Sequence, residues 1–243
     1  MKKFILSTSI CLIGFISLNA QFEIGLSAGF GKSTMNIKQE YQNDFGIKWA
    51  PSYNFGIISK YRLNESLNLT MDLLFSKKGF IQSNSQPVTS FEDSTSTITV
   101  APYFIDVPIL LEFIANFNKI DVLFGLGPYF SYGIGGKINL EIKSASGDIN
   151  YTEDIRWSKY DGFLAEGGER IIYGYGYSQM KRFDYGATLK FGVRYKSIIL
   201  SAKYNYGLAN LMWEYRKNER INSHNFDLSI SYMFDFTTSP NKK

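Results

Sequence analysis

Cysteine, histidine and long apolar runs are all scarce in this chain. One cysteine in 243 residues excludes a disulfide-stapled scaffold. One histidine argues against a histidine-based metal centre. Beyond the first twenty residues no apolar run reaches 18, so a bundle of membrane-spanning helices is excluded. Excess charge of one sign is also missing: 26 Lys and Arg stand against 22 Asp and Glu, and no basic patch supports nucleic-acid binding. Aromatic residues, by contrast, are plentiful, with 20 Phe and 17 Tyr in a chain that is 44% hydrophobic. That much apolar surface at low net charge excludes disorder. An all-β protein is what these limits leave.

The first twenty residues read as an address. Lys2 and Lys3 precede a mostly apolar stretch from Phe4 to Leu18, and Asn19-Ala20 ends it. The stretch is too short for a membrane helix and is followed by polar sequence, as in a secretory signal peptide. Residues 1–20 are therefore expected to be removed, leaving a barrel domain over 21–236 and a short tail over 237–243. Loss of Lys2 and Lys3 lowers the net charge from +4 to +2. Cys11 leaves with the signal peptide, so the exported product carries no thiol.

From residue 21 onward the dominant hydrophobic period is two. Phe226, Leu228, Ile230, Tyr232, Phe234 and Phe236 alternate with Asp227, Ser229, Ser231, Met233 and Asp235. Phe183 to Tyr195 alternates with a row holding Arg182, Asp184, Thr188, Lys190 and Arg194. Leu200 faces opposite Ser201 and Lys203, and Leu69, Met71 and Leu73 face opposite Thr70 and Asp72. Eight such segments are read: about 22–30, 53–63, 67–76, 99–113, 120–132, 183–195, 198–206 and 226–236. The fourth carries Pro102 and Pro108 and puts Phe104 and Leu110 on its polar row, so a bulge is expected there.

The connections alternate in length. Those near 33–52, 81–98, 133–180 and 209–222 are long; those near 64–66, 114–119 and 195–197 are short. Outer-membrane barrels have this pattern, with long loops outside, short periplasmic turns and aromatic residues near both strand ends. The expected fold is an all-β, eight-stranded antiparallel up-and-down transmembrane barrel with four long outer loops and three short turns, located in the outer membrane. Arg182, Lys190, Arg194, Lys203, Asp72, Asp121, Asp184, Asp227 and Asp235 are expected to face the lumen. Gly25, Gly29, Gly125, Gly127, Gly186 and Gly192 leave room there for water-filled pockets.

Five stretches carry a family resemblance: Phe75-Ser76-Lys77-Lys78-Gly79, Tyr103-Phe104-Ile105-Asp106-Val107-Pro108, Gly125-Leu126-Gly127-Pro128-Tyr129, Arg182-Phe183-Asp184-Tyr185-Gly186 and Tyr204-Asn205-Tyr206-Gly207-Leu208-Ala209-Asn210. Their order and spacing resemble the PorT-like outer-membrane barrels of Bacteroidetes-type bacteria. The resemblance implies an integral outer-membrane barrel and an accessory role in type IX protein secretion. It implies contact with outer-membrane lipid, lipopolysaccharide and protein components of a secretion apparatus, in a monomeric barrel.

Chemistry is sparse. Ser223-His224 beside an acidic loop residue is the one arrangement that suggests the rim-histidine acyltransferases; a solvated rim histidine explains it as well. Glu141, Asp148, Glu153, Asp154, Asp161, Glu166 and Glu169 lack the spacing of a calcium loop. Gly167-Gly168 lacks the strand-to-helix context of a phosphate cradle. The alternating run Ile171-Ile172-Tyr173-Gly174-Tyr175-Gly176-Tyr177 suits a hairpin above the membrane or an aromatic contact surface. No catalytic, cofactor-binding or metal-binding residue is expected. The protein is read as a non-enzymatic barrel acting through its surface loops, with a small channel as the alternative reading and an acyltransferase-type enzyme behind it.

Overall fold

The computed structural model describes residues 22–38, 46–84, 95–143, 147–157, 180–211 and 220–234. Ten strands form one antiparallel sheet: β1 (Phe22–Lys38), β2 (Ile47–Asn64), β3 (Leu67–Lys77), β4 (Phe80–Asn84), β5 (Thr95–Phe117), β6 (Ile120–Lys143), β7 (Ile149–Asp154), β8 (Phe183–Tyr195), β9 (Ile198–Gly207) and β10 (Arg220–Phe234). The expected signal peptide over 1–20, Asp235, Phe236 and the expected tail lie outside the described residues.

Eight of these strands close a ring. β1 pairs with β2, β2 with β3, β3 with β5, β5 with β6, β6 with β8, β8 with β9, β9 with β10, and β10 returns to β1. Closure removes the free sheet edge that lipid would leave unsatisfied. β4 continues β3 along β5 in one register, since Lys77 opposes Tyr103 and Phe80 opposes Val100. β7 is a branch that, among the described residues, pairs only with β6.

Period two sets the two faces. On β9, Leu200 is 58% exposed and Ser201 is 8% exposed. The same alternation places Leu26, Ile57, Leu73, Leu126, Leu189 and Leu228 outward, where lipid covers them. Aromatic residues flank this apolar band. Tyr53, Phe75 and Tyr103 stack at one end, with ring centroids 6.4 and 5.6 Å apart, and Phe117, Tyr195 and Tyr232 face outward near the other. The hairpins at the second end turn in two residues, 65–66, 118–119 and 196–197, tighter than the sequence suggests.

The strands are longer than their membrane-crossing portions. Much of the chain read as outer loop is sheet: β1 runs on to Lys38, β5 begins at Thr95, β6 reaches Lys143 and β10 begins at Arg220. In these extensions the polarity of the two faces inverts. Thr95, Thr97 and Thr99 point out while Ile98 and Val100 point in, and Thr34 and Asn36 flank inward Met35. The inward side chains pack as an apolar core above the membrane: Met35, Phe80, Ile98, Val100, Ile155, Met180, Leu211 and Ile221, with Trp157 against them.

The expected bulge exists, but the extra residue is on the neighbouring strand. Tyr103 opposes Gly135 and Phe104 opposes Gly133, so Ile134 of β6 is the unpaired one. Gly133 must be glycine for this packing, since a Cβ there would lie 2.2 Å from the Trp157 indole. Gly133→Ala is expected to expel Trp157 from the apolar core at a cost of about 1–3 kcal/mol. A red shift of tryptophan emission, with a lower unfolding midpoint in detergent, checks this.

Candidate functional site

The lumen is where the sequence concentrates polar chemistry. Its residues come from the inward row of every barrel strand, so each is positioned by sheet register. Lys190, Lys203, Asp72, Asp184 and Asp227 are buried there, as expected. Arg194 and Asp121 are only half-buried near the turns, and Arg182 is exposed at the outer end. Asp235 lies outside the described residues.

Four buried charges escaped the sequence reading: Lys60, Lys78, Asp106 and Glu112. Asp106 and Glu112 share the inward row of Phe104 and Leu110, which proline and apolar residues disguised. Lys60 sits in β2, where alternation is noisier. For three of them the signal was parity: Lys78 stands six residues from Asp72, and Asp106 and Glu112 stand two residues from Phe104 and Leu110.

These groups form two ionic clusters. In the first, Glu112 pairs with Lys60 through one carboxylate oxygen and with Lys190, at 3.2 Å, through the other. Asp72 is buried near Lys190, Lys203 and Lys60. In the second, Lys78 donates to Asp106 at 2.8 Å and Ser76 donates to the other Asp106 oxygen at 2.7 Å. The Lys78 ammonium lies 5.2 Å from the ring centres of both Phe104 and Tyr129. The Tyr129 hydroxyl donates to Asp184 at 3.1 Å, and Ser223 donates to the same oxygen at 2.6 Å. Ser52 donates to Asp227 at 3.0 Å, and Thr188 donates to Asn205 at 2.7 Å.

This network explains the sequence stretches. Ser76 and Lys78, Asp106, Tyr129, Asp184 and Asn205 come from five different stretches and all belong to the lumen's hydrogen-bonding network. The stretches therefore hold the barrel together from inside. Lys60, Lys190, Lys78, Glu112 and Asp106 survive burial because they are paired, and Asp184 and Asp227 accept hydrogen bonds from neighbouring side chains.

Apolar side chains lie at both ends of the polar interior. The outer core described above occupies one end. Ile58, Leu74, Leu123, Ile199 and Met233, with Ile114, form a second cluster toward the short turns. Four of the glycines expected to leave room do not: a Cβ at Gly25 would meet the Tyr232 carbonyl oxygen at 2.4 Å, one at Gly29 would meet Asn54 Nδ2 at 3.0 Å, one at Gly127 would meet the Ile109 carbonyl oxygen at 2.0 Å and one at Gly186 would meet the Tyr206 carbonyl oxygen at 2.0 Å.

The histidine arrangement does not assemble. Ser223 is buried and points inward to Asp184, whereas His224, the next residue, points outward. The His224 Nδ1 lies 3.2 Å from the Tyr204 hydroxyl, and its ring centre lies 4.8 Å from that of Tyr206. A strand's alternation thus separates the nucleophile from the base. Among the described residues, no three His, Cys, Asp or Glu side chains are grouped to hold a metal ion. Glu153 lies 3.5 Å from Arg156, and Glu141, Asp148 and Asp154 are exposed. Asp161, Glu166, Glu169, Gly167-Gly168 and the run 171–177 lie outside the described residues.

An eight-stranded closed barrel with a lipid-facing apolar band, aromatic flanks and an ion-paired interior defines an integral outer-membrane protein. The chain belongs to the outer membrane protein beta-barrel domain family, whose model matches residues 16–212. The protein is located in the outer membrane. The match stops before β10, the strand that closes the ring. No curated protein matches the chain. Among solved structures, the chain is similar to the attachment invasion locus protein Ail of Yersinia pestis, at 12% identity over 88% of this chain and 99% of that one, with a TM-score of 0.34. It is also similar to OprG of Pseudomonas aeruginosa, at 10% identity over 88% and 95% with a TM-score of 0.44. For Neisserial surface protein A the values are 12%, 88%, 97% and 0.37.

Proposed function

We propose that this protein is a non-enzymatic, non-conducting barrel that works through its outer surface. The observation that carries the reading is the lumen: paired buried charges fill it, and apolar clusters lie toward both ends. With transport through the interior blocked, contact falls to what stands above the membrane. There the β6–β7 hairpin presents Ile149 and Tyr151, both at least half exposed, on a strand paired along one side only among the described residues. The five stretches resembling PorT-like barrels support the sharper version, an accessory of type IX secretion that meets protein components of that apparatus. Lipid and lipopolysaccharide surround the barrel, and it acts as a monomer.

Planar-bilayer recording tests the central point. The purified barrel is expected to give no ohmic conductance steps above the lipid baseline. Regular single-channel steps would overturn this reading in favour of the small channel. For the outer-surface role, residues 158–179 are replaced by a short Gly/Ser turn, which keeps Ile155, Trp157 and Met180 in the core. The shortened barrel is expected to assemble, shown by heat-dependent gel migration, and to fail to complement a deletion strain.

A further inference from the structure

We propose that the periplasmic mouth of the barrel is a binding site for a carboxylate-rich peptide segment of a periplasmic protein. A cavity of about 500 Å³ opens there, and its lining includes Arg62, Lys119, Asp121, Arg194 and Lys196. The volume is in the range of small-ligand pockets. It lies beside the short turns, so a ligand reaches it from the periplasm.

Its charge is unlike that of the interior. Four cations, Arg62, Lys119, Arg194 and Lys196, stand against two carboxylates, Asp121 and Glu23, leaving a net charge of +2. In the interior, Lys60, Lys78 and Lys190 each have a carboxylate partner, and the four buried lysines, Lys203 included, stand against five buried carboxylates, Asp72, Asp106, Glu112, Asp184 and Asp227. Among the described residues, Lys119 and Lys196 have no carboxylate within ion-pair distance.

The site already shows which anion it takes. Glu23, on β1, places one carboxylate oxygen 2.8 Å from Arg194 of β8 and the other 3.3 Å from Arg62 of β2. One carboxylate thus spans the mouth between two guanidinium groups, the geometry these groups favour. Glu23 acts as a built-in stand-in that an incoming acidic side chain displaces or joins.

The turns keep their cations at a cost. Lys196 has φ of 54°, in the left-handed region where glycine or asparagine is ordinarily found. Asn118 holds the equivalent position of the neighbouring turn at 56°, with Lys119 after it. Arg194 Nε donates to the Lys196 carbonyl at 2.9 Å and fixes that turn, with the Lys196 ammonium 5.4 Å from the centre of the Tyr195 ring. Both positive φ values are those that a two-residue hairpin turn requires, and they set Lys119 and Lys196 beside the cavity.

Of the groups at the cavity, Arg62, Asp121, Arg194 and Glu23 belong to the inward row and Tyr195 to the outward row that lipid reaches, a balance that favours a peptide over a lipid head group.

The test uses the mature barrel in zwitterionic detergent and a fluorescent, N-acetylated, C-amidated tetraglutamate peptide, read by anisotropy. Saturable one-to-one binding is expected, weakening as salt rises. Glu23→Gln removes the internal competitor and is expected to tighten binding about tenfold. Lys119→Gln with Lys196→Gly, which leaves the turns intact, is expected to weaken it about tenfold. Heat-dependent gel migration confirms that each variant is a folded barrel. Absence of saturable binding, or unchanged affinity in either folded variant, overturns the proposal. Displacement of the peptide by millimolar inorganic phosphate, or by phosphatidylglycerol doped into the micelles, overturns it in favour of a general anion site or a lipid site.

Discussion

Glu112→Leu is expected to destabilise the barrel by about 3–5 kcal/mol, the usual cost of removing one partner of a buried ion pair. Glu112 is fully buried and is the carboxylate partner of both Lys60 and Lys190, whose side chains are themselves 2% and 6% exposed. Its loss leaves two ammonium groups facing each other in an interior they cannot leave. Asp72 is buried near both lysines but, fixed on β3, forms no ion pair with either. The triple change Lys60→Met, Glu112→Leu, Lys190→Met removes the charges together and is expected to recover most of the loss, because well-packed apolar residues replace buried ion pairs at little cost. Urea midpoints in detergent, read by the heat-dependent gel shift, distinguish the two. A single variant as stable as the parent would mean that water reaches this cluster and the interior is not closed.

Leu189→Arg is expected to cost about 2–4 kcal/mol, the price of an arginine facing lipid near the bilayer midplane. Leu189 lies at the centre of β8 and is flanked on its outward face by Leu126 of β6 and Tyr204 of β9. The effect is depth-dependent. Leu200 also faces outward but is the third residue of β9, next to the short turn, so Leu200→Arg is expected to cost only about 0–1 kcal/mol. Cys11 is the single cysteine of the sequence, so on a Cys11→Ser background single-cysteine labelling reads facing cleanly. Cysteine at 189 should react with a lipid-soluble maleimide and cysteine at 188 should not. The reverse would put β8 out of register by one residue.

The membrane-crossing sheet was legible in the sequence because one physical rule operates along it. Lipid selects large apolar side chains on one row, and a narrow lumen selects small or charged ones on the other, so β8, β9 and β10 read almost residue by residue. Above the membrane the rule changes sign. At Thr95–Val100 and at Thr34–Asn36 the outward row becomes polar and the inward row apolar, which from sequence alone reads as the pattern dissolving into loop. The strand extensions were missed for that reason. The ion pairs were hidden by distance: Lys60 and Glu112 are 52 residues apart, and they meet only because β2 and β5 flank β3 in the curved sheet. Ser223-His224 misled for the opposite reason, since adjacency along a strand places two side chains on opposite faces.

The change of sign along each strand also imposes a sequence of events on assembly. The end bearing Met35, Phe80, Ile98, Val100 and Ile221 is a water-soluble core, stable only once its outward threonines and asparagines meet water on the far side of the bilayer. Those polar rows must cross hydrocarbon before the core they enclose can form. Insertion and completion are thus separate stages, and the last contacts made are the ones farthest from the compartment where the chain begins. Once formed, that core is too wet on its outside to slip back through lipid, so it serves as a latch that makes insertion one-way.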